Sequence, residues 1–157
     1  MAIIPYGQRH LREWQMSNPL SLWLRVQGCT SIYAEVPFII RTGYKAGTRH
    51  VDLIGVRSDG LIVAVEMKKS LCWGLMRQGI SLRRAAALIY CAVDCRPTPG
   101  SVAEFAKCGL GVLTVRDGIV SVLLEAKLQT DSSNRERLKI EQGKLNGIAG
   151  LPVGRRP

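Results

Sequence analysis

The stretch from Arg49 to Lys68 leaves this chain little choice of fold. It reads Arg49-His50-Val51-Asp52-Leu53-Ile54-Gly55-Val56, then Arg57-Ser58-Asp59-Gly60, then Leu61-Ile62-Val63-Ala64-Val65-Glu66-Met67-Lys68. Both outer runs are rich in Val, Ile and Leu, and Ser-Asp-Gly between them is a turn signal, so the segment predicts a β-hairpin. A three-residue hairpin loop needs a left-handed residue in its last position, which Gly60 supplies. The second run is apolar on both faces, with Leu61, Val63 and Val65 on one and Ile62 and Ala64 on the other. Such a strand belongs in the middle of a sheet, covered by helices on both sides.

The same hairpin predicts a chemical site. If Ser58 to Gly60 form the loop, Arg57 faces Leu61, and counting back sets Asp52 opposite Glu66. Directly opposed residues have Cβ atoms roughly 5 Å apart and share one face. Lys68 lies two residues past Glu66, and the strand period of two puts it on that face too. Two carboxylates this close repel unless a cation sits between them. The pattern points to a divalent metal.

Composition narrows the class. The chain has 157 residues, 46% hydrophobic and 22% charged, which suits one domain with a substantial core. No apolar run approaches the roughly 20 residues that span a bilayer, and Met1 to Tyr6 lacks the features of a secretion signal. Five cysteines without Cys-x-x-Cys spacing, and only His10 and His50, argue for reduced thiols in a cytoplasmic protein and against a zinc site. The net charge of +10 favours a phosphate polymer as partner, since counterion release drives such binding.

Along the chain, Leu20, Trp23, Leu24 and Gln27 predict a helix within residues 8–28, with Asn18 as cap, Pro19 in the first turn and Gly28 at its end. A strand comes next over Ser31 to Ile40, with Pro37 suiting an edge. Arg41 to Thr48, with two glycines, reads as a loop before the hairpin. A helix is expected over Leu71 to Leu88, a short buried strand over Ile89 to Val93, and a helix from Ser101 with Glu104 completing a capping box. Leu110 to Val115 and Ile119 to Leu124 form a closing strand pair, and Asp131 or Ser132 opens a last polar helix. The crossover from the third strand through a helix to the fourth suits a right-handed parallel connection, giving an α/β sandwich.

An Asp early in strand two with Glu-x-Lys after it on strand three, here Asp52 and Glu66-Met67-Lys68, resembles the PD-(D/E)XK nuclease superfamily over about Ser31 to Val115. The resemblance implies a restriction-endonuclease-like three-layer sandwich, a central mixed sheet flanked by helices around an αβββαβ core. Residues 1–128 would form that domain, and 129–157 a basic C-terminal helix and tail. It further implies that Asp52, Glu66 and the Met67 carbonyl hold Mg²⁺, or Mn²⁺ in its place. Lys68 would orient or activate the attacking water, with Gln78 as an auxiliary residue on the next helix. Val51 stands where the motif has Pro, and no Glu on the first helix is clearly placed, since Glu13 precedes Pro19; Glu35 is taken as a third metal acid.

Phosphodiester hydrolysis needs charge neutralisation at the phosphate and a nucleophilic water, and a hard oxygen-ligated cation provides both. Lys45, Arg49, Lys69, Arg77, Arg83 and Arg84 are candidates to track the nucleic-acid backbone. The plain alternative for Glu66 and Lys68 is a surface ion pair worth under ~1 kcal/mol. The expected function is a magnesium-dependent DNA nuclease, in which cutting both strands would need a homodimer or two encounters. The alternative is a non-catalytic nucleic-acid-binding or scaffold protein of the same fold, of the kind phages and mobile elements carry.

Overall fold

Gly60 adopts φ 83 and its N–H donates to the Arg57 carbonyl, so the Ser-Asp-Gly loop closes as its residue types require. The Arg57 N–H then donates to the Leu61 carbonyl, and Val56 pairs with Ile62 through to Leu53 with Val65. This is the register counted from the loop. The computed structural model describes residues 15–42 and 45–129.

The elements in chain order are α1 (Ser17–Val26), β1 (Cys29–Thr42), β2 (Lys45–Arg57), β3 (Ile62–Lys68) and α2 (Trp73–Ser81). After a 3-10 turn (Leu82–Arg84) come β4 (Leu88–Val93), α3 (Pro99–Lys107), β5 (Gly111–Arg116) and β6 (Ile119–Leu124). Six strands form one sheet in sequence order. β1, β2 and β3 are antiparallel neighbours, β3 to β4 and β4 to β5 are parallel, and β6 returns antiparallel. The architecture is mixed α/β.

The alternation along β3 sorts the core into two layers. Val63 and Val65 join Leu53, Tyr90 and Leu113 beneath Leu20 and Leu24 of α1. Ile62 and Ala64 join Ile54, Ile89 and Val112 beneath Leu75 and Met76 of α2 and Phe105 of α3. The sheet therefore lies between α1 on one face and α2 with α3 on the other. No helix among the described residues is long and apolar enough to cross a membrane.

Several local expectations are corrected. Arg41 to Thr48 is largely strand, because β1 runs on to Thr42 and pairs with Lys45 at the start of β2. The expectation that Pro37 suits an edge holds, since β1 has a neighbour on one side only. The helix expected over Leu71 to Leu88 ends at Ser81, where the 3-10 turn takes over. α1 has no side-chain cap from Asn18; Met16 occupies the cap position. The third helix starts earlier than Ser101, with Thr98 as cap accepting from the Ser101 N–H and Pro99 in the first turn, while Glu104 pairs with Lys107. The helix expected from Asp131 or Ser132 and the tail lie outside the described residues.

Gly79 sets how closely α2 sits on the sheet. A Cβ there would lie 2.9 Å from Leu110 Cδ1 and 3.3 Å from Cys91 Sγ. Gly79→Val should therefore lower stability by about 1–3 kcal/mol in urea titrations. Gly100→Ala, where an added Cβ meets nothing within 4 Å, should be neutral or slightly stabilising. Equal responses of the two variants would contradict this packing.

Candidate active site

Continuation of the β2–β3 register puts Asp52 across from Glu66, and the structure joins them directly. Asp52 Oδ2 accepts the Met67 N–H at 2.7 Å, which orients that carboxylate over the end of β3. Glu66 is 2% exposed, on the same face as Ile62 and Ala64 and thus on the α2 side of the sheet. Burial, then repulsion from Asp52, pushes the Glu66 carboxyl up to about 8, and Glu66 donates a hydrogen bond to the Asp52 carboxylate. Burial also raises Asp52 above its ordinary value. The Lys68 ammonium, half-buried at the strand end, favours the charged form of both.

Arg49 is drawn into this cluster. Its guanidinium pairs with Glu66 Oε1 at 2.8 Å, donates to Ser81 Oγ at 2.8 Å, and reaches the Gln78 carbonyl. Ser81 Oγ in turn donates to the Gln78 carbonyl. Strict alternation would send Arg49 and Asp52 to opposite faces. It fails at Glu35, the residue of β1 between the pairs Ala34–Leu53 and Val36–Val51, which takes φ 51. Ala34 and Leu53 pack with the α1 layer, whereas Val36 and Val51 pack with the α2 layer. A left-handed residue inside a strand rotates the residues after it, at a cost on the order of 1–3 kcal/mol for a non-glycine. The reversal lets residues of both parities on β2 converge on Glu66.

The other expected residues fall at several places on the fold. Gln78 is half-buried on α2, and its Oε1 is buried without a hydrogen-bond partner among the described residues. Glu35 is exposed, and among the described residues no group of three or more His, Cys, Asp or Glu gathers into a cluster that could hold a metal. Lys69, Arg77 and Arg84 are exposed. Arg83 donates to the Cys108 carbonyl, tying the segment before β4 to the end of α3. Lys45 pairs with Thr42 at the start of β2, and its side chain lies outside the described ones. Ser81 is a member of the network that sequence reasoning misses, although its spacing of three from Gln78 puts both on one helix face.

The donor set fits a hard divalent cation. Buried Glu66 and half-buried Asp52 are held together where loss of solvent outweighs the compensation from Arg49 and Lys68, so each resists ionisation. Oxygen ligands of this kind are what Mg²⁺ takes, and a cation inverts the local preference for the protonated form.

No family model matches the chain, and no curated protein matches it. Among solved structures it is similar to SPO1766, a protein of unknown function from Silicibacter pomeroyi, at 18% identity and TM-score 0.54, covering 99% of this chain and 100% of that one. Protein VC1899 from Vibrio cholerae matches at 12% identity and TM-score 0.50, covering 82% of this chain and 32% of that one. A repair endonuclease from Pyrococcus abyssi gives 22% identity and TM-score 0.45 over 74% of this chain and 49% of that one. At such identities the first two likenesses concern the fold alone.

The raised carboxyls make stability depend on pH. The folded state holds a proton on Glu66 up to about 8, whereas an unfolded Glu releases it near its ordinary 4.5. Between those values the folded state binds more protons, so stability falls as pH rises. In the presence of EDTA the melting temperature should drop from about pH 5 to pH 8, and Glu66→Gln should flatten that slope. A parent protein whose melting temperature rises over that range would contradict the assignment.

Proposed function

We propose that this protein is a magnesium-dependent nuclease that hydrolyses DNA phosphodiester bonds on a restriction-endonuclease-like sandwich. The observation that carries the reading is the pairing of half-buried Asp52 with buried Glu66 at the end of a central strand, with Lys68 two residues on. The run of one helix, three antiparallel-paired strands, a helix and a parallel fourth strand supports it, as does the +10 charge.

Asp52, Glu66 and the Met67 carbonyl would hold the magnesium. When bound, the ion neutralises charge on the scissile phosphate and lowers the pKa of a coordinated water. The chain's own groups do the rest. The Met67 N–H fixes the Asp52 carboxylate, and Arg49 braces Glu66 against α2. Lys68, at the mouth of the cluster, donates a hydrogen bond to the attacking water or the phosphate. Gln78 Oε1 is an acceptor available to that water.

A second reading is a nucleic-acid-binding or scaffold protein without turnover. The Arg49–Glu66 ion pair favours it, since a guanidinium already beside Glu66 supplies part of the compensation a cation would give. Cleavage assays on supercoiled, linear, branched and single-stranded DNA separate the two. The nuclease reading expects magnesium-dependent cutting that Asp52→Ala and Lys68→Ala each reduce by at least about 10²-fold while DNA binding persists. Cutting by those variants at the parent's rate would remove the proposed roles, and DNA retention without cutting in any divalent metal would establish the second reading.

A further inference from the structure

A cavity of about 600 Å³ opens beside β5 and β6, lined by Arg96, Thr114, Arg116, Ile119, Ser121 and Leu123 among others. Strand register fixes its position relative to the acid pair. Lys68 pairs with Val93, Val93 with Thr114, and Thr114 with Ser121. These four residues form one row across β3, β4, β5 and β6. The row lies on the α2–α3 face, since Val93 packs in that layer and Glu66 stands two residues before Lys68 on the same side of β3. Candidate catalytic residues and cavity therefore share one face and one edge of the sheet, at the carboxyl ends of the three parallel strands.

The lining chemistry suits a polyanion with an apolar component. Arg96 and Arg116 are exposed, and neither has an ion pair or side-chain hydrogen bond within the described residues; the ion pairs found there are Arg49–Glu66, Arg57–Asp59 and Lys107–Glu104. Asp117 also lines the cavity, leaving two cationic groups against one carboxylate. Thr114 and Ser121 add hydroxyls, and Ile119 (67% exposed) and Leu123 (46% exposed) offer an apolar wall for a sugar or base edge. Adjacent strands lie about 4.8 Å apart, so β5 is roughly 10 Å from β3. Phosphates along one DNA strand rise about 3.4 Å each along the helix axis but lie nearly twice as far apart through space, which makes that distance about one to two nucleotides.

We propose that this cavity binds the backbone of the DNA strand about one to two nucleotides from the scissile phosphate, with Arg96 and Arg116 contacting phosphate oxygens. The inference rests on the nuclease reading for its substrate and adds the direction in which the strand leaves the site: across β4 and β5 toward β6. The two arginines act as positioning residues.

The test is anisotropy titration of a labelled DNA duplex in EDTA, over a range of salt, with parent, Arg96→Ala/Arg116→Ala and Arg57→Ala proteins, and then steady-state cleavage in magnesium. Loss of two phosphate contacts should weaken binding about tenfold at moderate salt and flatten the log–log salt slope by about 2. In cleavage, KM should rise by a similar factor with kcat within about twofold. Arg57→Ala, at the opposite end of the sheet beside the β2–β3 turn, should match the parent. Both arginines are exposed, so the double variant should keep the parent's melting temperature; Arg96→Gln/Arg116→Gln, which keeps side-chain bulk, should lose binding equally. Unchanged affinity and slope in either double variant, or an equal loss in Arg57→Ala, would overturn the proposal. Arginine-dependent binding in a protein that never cuts DNA would support this track and reject the nuclease reading; cutting with no arginine dependence would do the reverse.

Discussion

Two carboxyl groups forced together away from water are the constraint around which this structure is organised. Asp52 and Glu66 each hold their protons above the ordinary carboxylate range, chiefly because burial withholds solvent from the charged forms. Such a pair is a poor structural choice for a strand end, where a hydrophobic pair would serve stability better. Its presence in the fold makes chemical sense if the site takes up positive charge, which Arg49 and Lys68 supply in part.

The burial itself comes from the sheet. β3 is covered by α1 on one side and by α2 on the other, so every residue from Ile62 to Met67 is buried. A polar residue placed on such a strand cannot reach water by rotating away. The Met67 N–H and Arg49 are therefore the groups that meet the two carboxyls, and α2 meets Arg49 through Ser81 and the Gln78 carbonyl. The close approach of α2, permitted by Gly79, brings a helix end into the same network.

Much of the hairpin is legible directly. Ser58-Asp59-Gly60 prescribes loop length, loop length prescribes register, and register pairs Asp52 with Glu66. The two-sided apolar content of β3 likewise reveals its central place. The features that escape such reading depend on contacts between distant segments. Arg49 looks like a surface cation because alternation from Asp52 sends it to the far face; the reversal at Glu35 is a backbone event in another strand that no pattern in Arg49-His50-Val51 announces. The long β1–β2 ribbon is hidden by the glycines of Arg41 to Thr48, which signal a loop locally, whereas Gly47 pairs with Ile40 and Thr42 with Lys45. The start of α3 is legible in principle: Thr98-Pro99 is a cap with a first-turn proline after it, a stronger signal than the capping box at Ser101. Arg96 and Arg116 are far apart in sequence and meet only because β4 and β5 run parallel and end together.

Calorimetric titration of Mg²⁺ into the protein at a series of pH values tests the central claim most directly. The account predicts saturable binding that tightens from pH 6 to pH 8, releases protons taken from the acid pair, and disappears in Asp52→Asn. Absence of binding throughout that range, or binding unaltered by Asp52→Asn, would contradict it.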